Sequence, residues 1–408
     1  MGIQPPVALI RSDAVIRDRA EAEGYVASIC FKTGPPALLG AELEFTVHHA
    51  DDPTRPLESD VLAAALGAYA PPVLSPDSPA VSLPAGSQVT VEPGGQVEIS
   101  TPPHPSLAAL HTATETDRRH LIHLLARAGL RLGRSGLDPH RPPRRIVHAP
   151  RYAAMERSFD RRGPHGRVMM GSTAGLQVCL DAGEPERVAG RWAALHDVGP
   201  PLLAAFATSR RHAGHDTGWA SARMAAWLGI DPARTAPVTG DDPARAGARY
   251  AVDAPLLCLR RPQECWDPPA AVSFADWADG ALPSPPTAAD LDYHLTTLFP
   301  PVRPRGYLEV RYLDAQADGE WIVPVALLTA LLADDATVDA ARDLAAPATG
   351  RWTAAARHGL ADPAVAAAAT ALLDLACRSL DRTDLPGSTR DTVAESVTRR
   401  LEDRKGTR

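Results

Sequence analysis

Four short segments of this chain alternate apolar and polar residues, with a carboxylate or amide on the polar side. They are AELEF (41–45), QVEIS (96–100), GLQVCLD (175–181) and YLEVRYLD (307–314). This alternation constrains the fold because successive side chains of a strand face opposite ways. Glu42 and Glu44 are set against Leu43 and Phe45, and Gln96, Glu98 and Ser100 against Val97 and Ile99. Thr173 and Gln177 share a face, as do Glu309, Arg311 and Leu313, the last three opposed to Leu308, Val310 and Tyr312. Glu92 precedes Pro93-Gly94-Gly95, a break that bends sharply and allows close backbone approach to a ligand.

A glutamate on an alternating strand ordinarily marks the wetted side of an antiparallel sheet. Four such strands weaken that reading without naming a reaction. Glutamates converging on one sheet face repel one another and raise one another's pKa values, a penalty that divalent cations remove. Oxygen donors without Cys/His ligand spacing favour Mg²⁺ or Mn²⁺ over zinc.

The rest of the chain narrows the class. Its 408 residues suffice for one large or two smaller domains, and 45% apolar content supplies a core. A net charge of −7 argues against nucleic acid as partner. There is no apolar run of membrane length, and the start has no apolar stretch of the secretory kind. Cys30, Cys179, Cys258, Cys265 and Cys377 are scattered, which predicts a reduced, cytoplasmic protein without disulfides, with Cys179 in the core.

Periodicity and capping signals predict helices over 12–31 (capped by Ser12 or Asp13), 106–130, 185–207 (broken at Gly-Pro-Pro), 287–299 (capped by Thr287) and most of 320–404. Strands are expected at 37–47, around 90–101, at 169–181 and at 306–314, with loops at 71–88, 133–151 and 231–247. The coarse result is an α+β protein.

The segments TVEPGGQVEIST, HAPRYAAME, MMGSTAGLQVCLDAG, GWASARMAAW and YHLTTLFPPVRPRGYLEVRYLDA together resemble glutamate–cysteine ligases. Among these, the type is similar to that of actinobacterial ergothioneine biosynthesis (the glutamate–cysteine ligase type 2 family). The resemblance runs in order from about Gly40 to the C-terminal helices. It implies a glutamine-synthetase-like carboxylate–amine ligase fold, with a curved antiparallel sheet forming a funnel and helices packed outside. It divides the chain into an N-terminal helical extension (1–36) and a catalytic domain (37–408) with a helical C-terminal portion from about 320 to 404. It also implies ATP-dependent joining of the glutamate γ-carboxylate to the cysteine amine through a γ-glutamyl phosphate, with glutamate, cysteine and ATP as partners and Mg²⁺ or Mn²⁺ as cofactor.

Carried over position by position, the resemblance assigns metal binding to Glu42, Glu44, Glu92, Glu98 and Glu309. Arg223 and Arg311 become catalytic candidates, with Arg223 pairing a substrate carboxylate or phosphate. Gly94, Gly95, Gln96, Arg151, Tyr152, Thr173 and Gln177 become substrate or nucleotide contacts, the glycines clearing space for a metal–phosphate cluster. Arg223 is expected to be exposed and cheap to remove. The chain departs from the family pattern at Gly171 and at Ala207–Arg210, a loop expected to line the acceptor pocket. Two further readings stay open: the same chemistry on another amine, and a binding protein without turnover.

Overall fold

The computed structural model describes residues 12–261 and 265–406, so the first eleven residues of the expected 1–36 extension lie outside the described residues. Six strands form one antiparallel sheet: β1 (Leu39–Phe45), β2 (Gln88–Val91), β3 (Val97–Ser100), β4 (Gly175–Leu180), β5 (Val302–Pro304) and β6 (Leu308–Asp314), in the order β2-β3-β1-β4-β6-β5. Two edge pairs are hairpins. The break at 92–96 closes β2–β3, with the Glu92 amide on the Gln96 carbonyl (2.8 Å), and Arg305-Gly306-Tyr307 closes β5–β6.

Directly paired residues of an antiparallel sheet share a face. The register pairs Leu43 with Ile99 and Leu176, and Val310 with Val178, on one side. These side chains are at most 2% exposed and join the main core with Leu121, Leu327 and Leu372 of the helices. Truncating such a residue to alanine costs about 2–5 kcal/mol. The other side pairs Glu44 with Glu98, Glu42 with Gln177, and Glu309 with Arg303.

Several local expectations change in the folded chain. The alternation through β6 breaks at a bulge: Val310 pairs with Val178 but Leu313 with Leu176, so Arg311 and Tyr312 together oppose Gln177. Leu313 thereby turns into the core, away from Glu309 and Arg311. Residues 165–172 form a helix (His165–Ser172) rather than the start of a strand, and β4 begins only at Gly175. Residues 231–247, expected as a loop, hold a short helix (Pro232–Thr235) and the start of a longer one (Pro243–Asp253), which Asp242 caps with Pro243 in its first turn. The first helix runs over Arg19–Cys30, capped by Asp18, and packs on that 243–253 helix.

Other signals hold. The helix expected over 106–130 runs over Leu107–Arg127, and Thr287, expected as a cap, forms a capping box with Asp290 at the start of Ala288–Leu295. Among the described residues, no single helix is long and apolar enough to cross a membrane.

Candidate active site

The polar side of the sheet floors a cavity of about 250 Å³. Glu42, Glu44, Glu92 and Glu98 line one half of it, and Arg151, Arg303, Arg305 and Arg311 line the other. Met155, Met169, Met170, Trp227 and Phe299 supply an apolar wall.

The acidic half is crowded. Glu98 is 7% exposed and accepts hydrogen bonds from Thr90 Oγ1 (2.7 Å) and Ser100 Oγ (2.6 Å). Its carboxyl is nevertheless held well above the ordinary range, first by burial and then by Glu42, Glu44 and Glu92. Burial, then Glu44, raises Glu92 to about 7. Burial, then Glu309, raises Glu42. Glu44 accepts from the Gly175 amide (2.6 Å) and Gln177 Nε2 (3.1 Å). No hydrogen bond to the carboxylates of Glu42 or Glu92 from a described residue is present.

Glu309 differs. It is fully buried and does not line the cavity. Its oxygens accept from Arg303 Nε (2.6 Å), Arg311 Nη1 (2.8 Å) and Arg305 Nη1 (3.2 Å). Burial alone would raise its pKa; Arg303, Arg311 and Arg305 overcome that and hold the carboxylate ionised far into acid. Both oxygens expected to bind a metal are thus engaged by guanidinium groups. Among the described residues, no three acidic, histidine or cysteine side chains are gathered as a ready metal cage. The donor set on the acidic half is all oxygen, mutually repelling and partly unpartnered, which fits a hard divalent cation.

Gln177 spans the two halves, donating to Glu44 while accepting from Arg311 Nη1. Arg311 also lies over the Trp227 ring, 5.4 Å from its centroid. Arg151 is fixed at the rim by Thr296 Oγ1 (2.8 Å) and the Thr296 carbonyl (2.9 Å). Tyr152 and Thr173 line the cavity; burial, then Glu92, pushes the Tyr152 phenol up. Gln96 lines it too and clips the 92–96 turn to the 165–173 segment through the carbonyls of Thr173 (2.8 Å) and Met170 (3.3 Å).

Four expectations fail here. Arg223 is 1% exposed and lies outside the cavity. Ser221 caps its helix and donates to Asp314 Oδ1 (2.9 Å), which lays Arg223 over Gly175, with its Nη2 on the Arg311 carbonyl (3.0 Å). A Cβ at Gly175 would stand 2.3 Å from that Nη2. The space over Gly94 and Gly95 is filled by protein: a Cβ at Gly94 would meet the Gly171 carbonyl at 2.3 Å, and one at Gly95 (φ +87°) would meet Ile146 Cδ1 at 2.5 Å. Ser209 of the 207–210 loop is buried against Asp314 (2.7 Å), away from the cavity. Cys179, expected in the core, sits on the polar face opposite Glu309.

Sequence reasoning missed Arg303 and Arg305. A signal for the arginines was available: in a hairpin turning at 305–307, Arg303 must pair with Glu309.

Comparison with known proteins adds the following. A family model described as glutamate-cysteine ligase family 2 matches residues 38–406. The glutamate–cysteine ligase EgtA of Mycolicibacterium smegmatis is 41% identical over 368 residues, covering 87% of this chain and 83% of the relative. That of Mycobacterium tuberculosis is 40% identical over 386 residues, covering 92% and 87%. The chloroplastic glutamate–cysteine ligase of Arabidopsis thaliana is 30% identical, covering 87% and 70%. The solved glutamate–cysteine ligase of Francisella tularensis, in complex with AMP, superposes with a TM-score of 0.50 at 14% identity, covering 91% of this chain and 82% of that one. This last likeness concerns the fold, a mixture of helices and antiparallel sheet.

Proposed function

The chain belongs to glutamate–cysteine ligase family 2, and on that premise we propose that it uses ATP and a divalent cation to join the glutamate γ-carboxylate to the cysteine amine. The observation that carries this reading is a single cavity with four carboxylates facing four guanidiniums. Phosphoryl transfer to a carboxylate needs alignment and neutralisation of negative charge rather than a protein nucleophile. Arg151, Arg303, Arg305 and Arg311 provide cationic forks aimed at phosphate and carboxylate oxygens. Gln177 fixes the rotamer of Arg311 and so the aim of its guanidinium.

Glu42, Glu44, Glu92 and Glu98 are the residues that would hold Mg²⁺ or Mn²⁺. A bound cation would supply charge neutralisation at the transferred phosphoryl group. Glu309 enters this reading as the anchor that orients three arginines. The attacking group is the glutamate γ-carboxylate, which takes the γ-phosphoryl group and releases ADP; the cysteine amine then attacks the acyl carbon of the acyl phosphate and displaces inorganic phosphate. Polarisable Met155, Met169 and Met170 suit a thiol-bearing acceptor. The sheet curved as a funnel, the division at residue 36 and a product destined for ergothioneine belong to the same proposal. They rest on the family resemblance.

The test is product analysis with purified protein, Mg²⁺, ATP, glutamate and a panel of amines. ADP, phosphate and γ-glutamylcysteine are expected, with ¹⁸O from the glutamate γ-carboxylate passing into phosphate. AMP and pyrophosphate as products would rule the mechanism out.

A further inference from the structure

Resting on that ligase reading, we propose that Arg234 is a positioning residue for the basic half of the catalytic cavity, acting through the turn at 296–299. Three residues of this turn serve the cavity. Thr296 holds Arg151 through its Oγ1 (2.8 Å) and its carbonyl (2.9 Å). The Leu298 carbonyl accepts from Arg303 Nη1 (3.2 Å). Phe299 lines the cavity and meets the Trp227 ring edge-on, with centroids 5.2 Å apart, and Arg311 lies over that same ring. Arg151, Arg303 and Arg311 therefore all take part of their placement from four consecutive residues.

The turn follows the helix Ala288–Leu295, and carbonyls at and just past a helix end have no intrahelical donor. Arg234, outside the cavity and 1% exposed in the short helix Pro232–Thr235, supplies one. Its Nη1 donates to the Thr297 carbonyl (3.2 Å) and Thr297 Oγ1 (3.0 Å), and its own carbonyl accepts from the Phe299 amide (2.8 Å). Side chain and main chain thus grip the turn at Thr297 and Phe299, between the residues that face the cavity. The guanidinium is fixed from the other side: Nη2 donates to the Pro255 carbonyl, and Nε lies 3.3 Å from Asp231 Oδ2. One planar fork reaches all of these acceptors, which an ammonium or an amide does not. Filling the same space with an apolar side chain would avoid the cost of burying a charge. What the guanidinium adds is the fixed geometry of the turn.

The test uses the full chain and reads binding of inorganic triphosphate by calorimetry, together with steady-state ADP release. Arg234→Gln is expected to weaken triphosphate at least about tenfold and to lower kcat/KM for ATP and for glutamate by a similar factor. Arg234→Lys, which keeps a charge beside Asp231, is expected to recover part of both. Val393→Ala, in the core beneath the C-terminal helix, controls for stability alone: its melting temperature is expected to fall while triphosphate affinity stays at the wild-type value. A folded Arg234→Gln protein with wild-type affinity for triphosphate would overturn the positioning role, and ADP release by wild type would leave the ligase reading intact. An equal loss of affinity in Val393→Ala would also overturn it, by showing that lowered stability suffices. Wild-type protein that neither binds triphosphate nor releases ADP would overturn both. Should Arg234→Gln fail to fold, Thr297→Val decides: loss of one acceptor is expected to weaken triphosphate about threefold, and wild-type affinity would overturn the proposal.

Discussion

Glu98 and Glu309 are the same residue type on the same face of one sheet, yet the fold shifts their pKa values in opposite directions. Glu98 sits among Glu42, Glu44 and Glu92 and has its pKa raised. Glu309 sits among Arg303, Arg305 and Arg311 and stays charged despite complete burial. The difference shows that a carboxylate on a polar strand face has no fixed role. The acidic half stores repulsion that a cation can relieve, and the basic half is already ion-paired around Glu309 while keeping a net positive charge. Function on the first side is therefore expected to cost stability, and on the second side to coincide with it.

The sharpest way to break this contrast is Glu309→Gln. It strands three guanidiniums around a neutral amide, and a loss of about 3–5 kcal/mol is expected from urea unfolding. A change below about 1 kcal/mol would mean that the arginines do not depend on Glu309. Arg223→Ala removes a buried guanidinium 3.9 Å from Asp314 and belongs to the same class. It is expected to lower stability as well as activity, in contrast to the small folding cost expected of an exposed arginine.

Glu98→Gln probes the opposite half. Turnover, followed as ADP release, is expected to fall at least about a hundredfold. The metal-free protein should at the same time melt no lower at neutral pH, because the substitution removes a carboxylate whose ionisation the fold opposes. A lower melting temperature with full activity would invert the assignment of the two halves.

A smaller effect follows from Glu92. Its pKa is raised from an ordinary 4.5 to about 7, so the folded state holds its proton more tightly than the unfolded chain. That contribution to stability is complete below about pH 4.5 and is lost as pH rises through about 7. Glu309, with a depressed pKa, contributes above the ordinary carboxylate range and loses its share only in strong acid. The melting temperature of Glu92→Gln minus that of wild type should therefore grow between pH 5 and pH 7.5, and saturating Mg²⁺ should shrink the difference. A difference independent of pH would place Glu92 outside the acidic cluster.

The smallest effect is expected from reductant. Cys30, Cys179, Cys258, Cys265 and Cys377 are all free thiols, and neither half of the site leans on a disulfide. A melting temperature that drops on reduction would show that a covalent link contributes to the contrast.

What the sequence determined by itself is local. A period of two places Glu42, Glu44, Glu98 and Gln177 on one face, because backbone geometry imposes that alternation wherever a strand forms. Thr287 marks a helix start because its hydroxyl satisfies a free backbone amide. The motif segments place the family, since they span the chain in order. What only the tertiary structure decided depends on residues distant in sequence. The bulge that turns Leu313 inward arises from pairing with β4, some 130 residues earlier. Gly94 and Gly95 serve close packing against Gly171 and Ile146, contacts that no local pattern announces. Arg223 is buried because a serine cap and Asp314 draw its helix down onto Gly175. The charge state of each glutamate was settled last, because Coulomb energy depends on which charges folding brings near, and spacing along the chain carries no record of that.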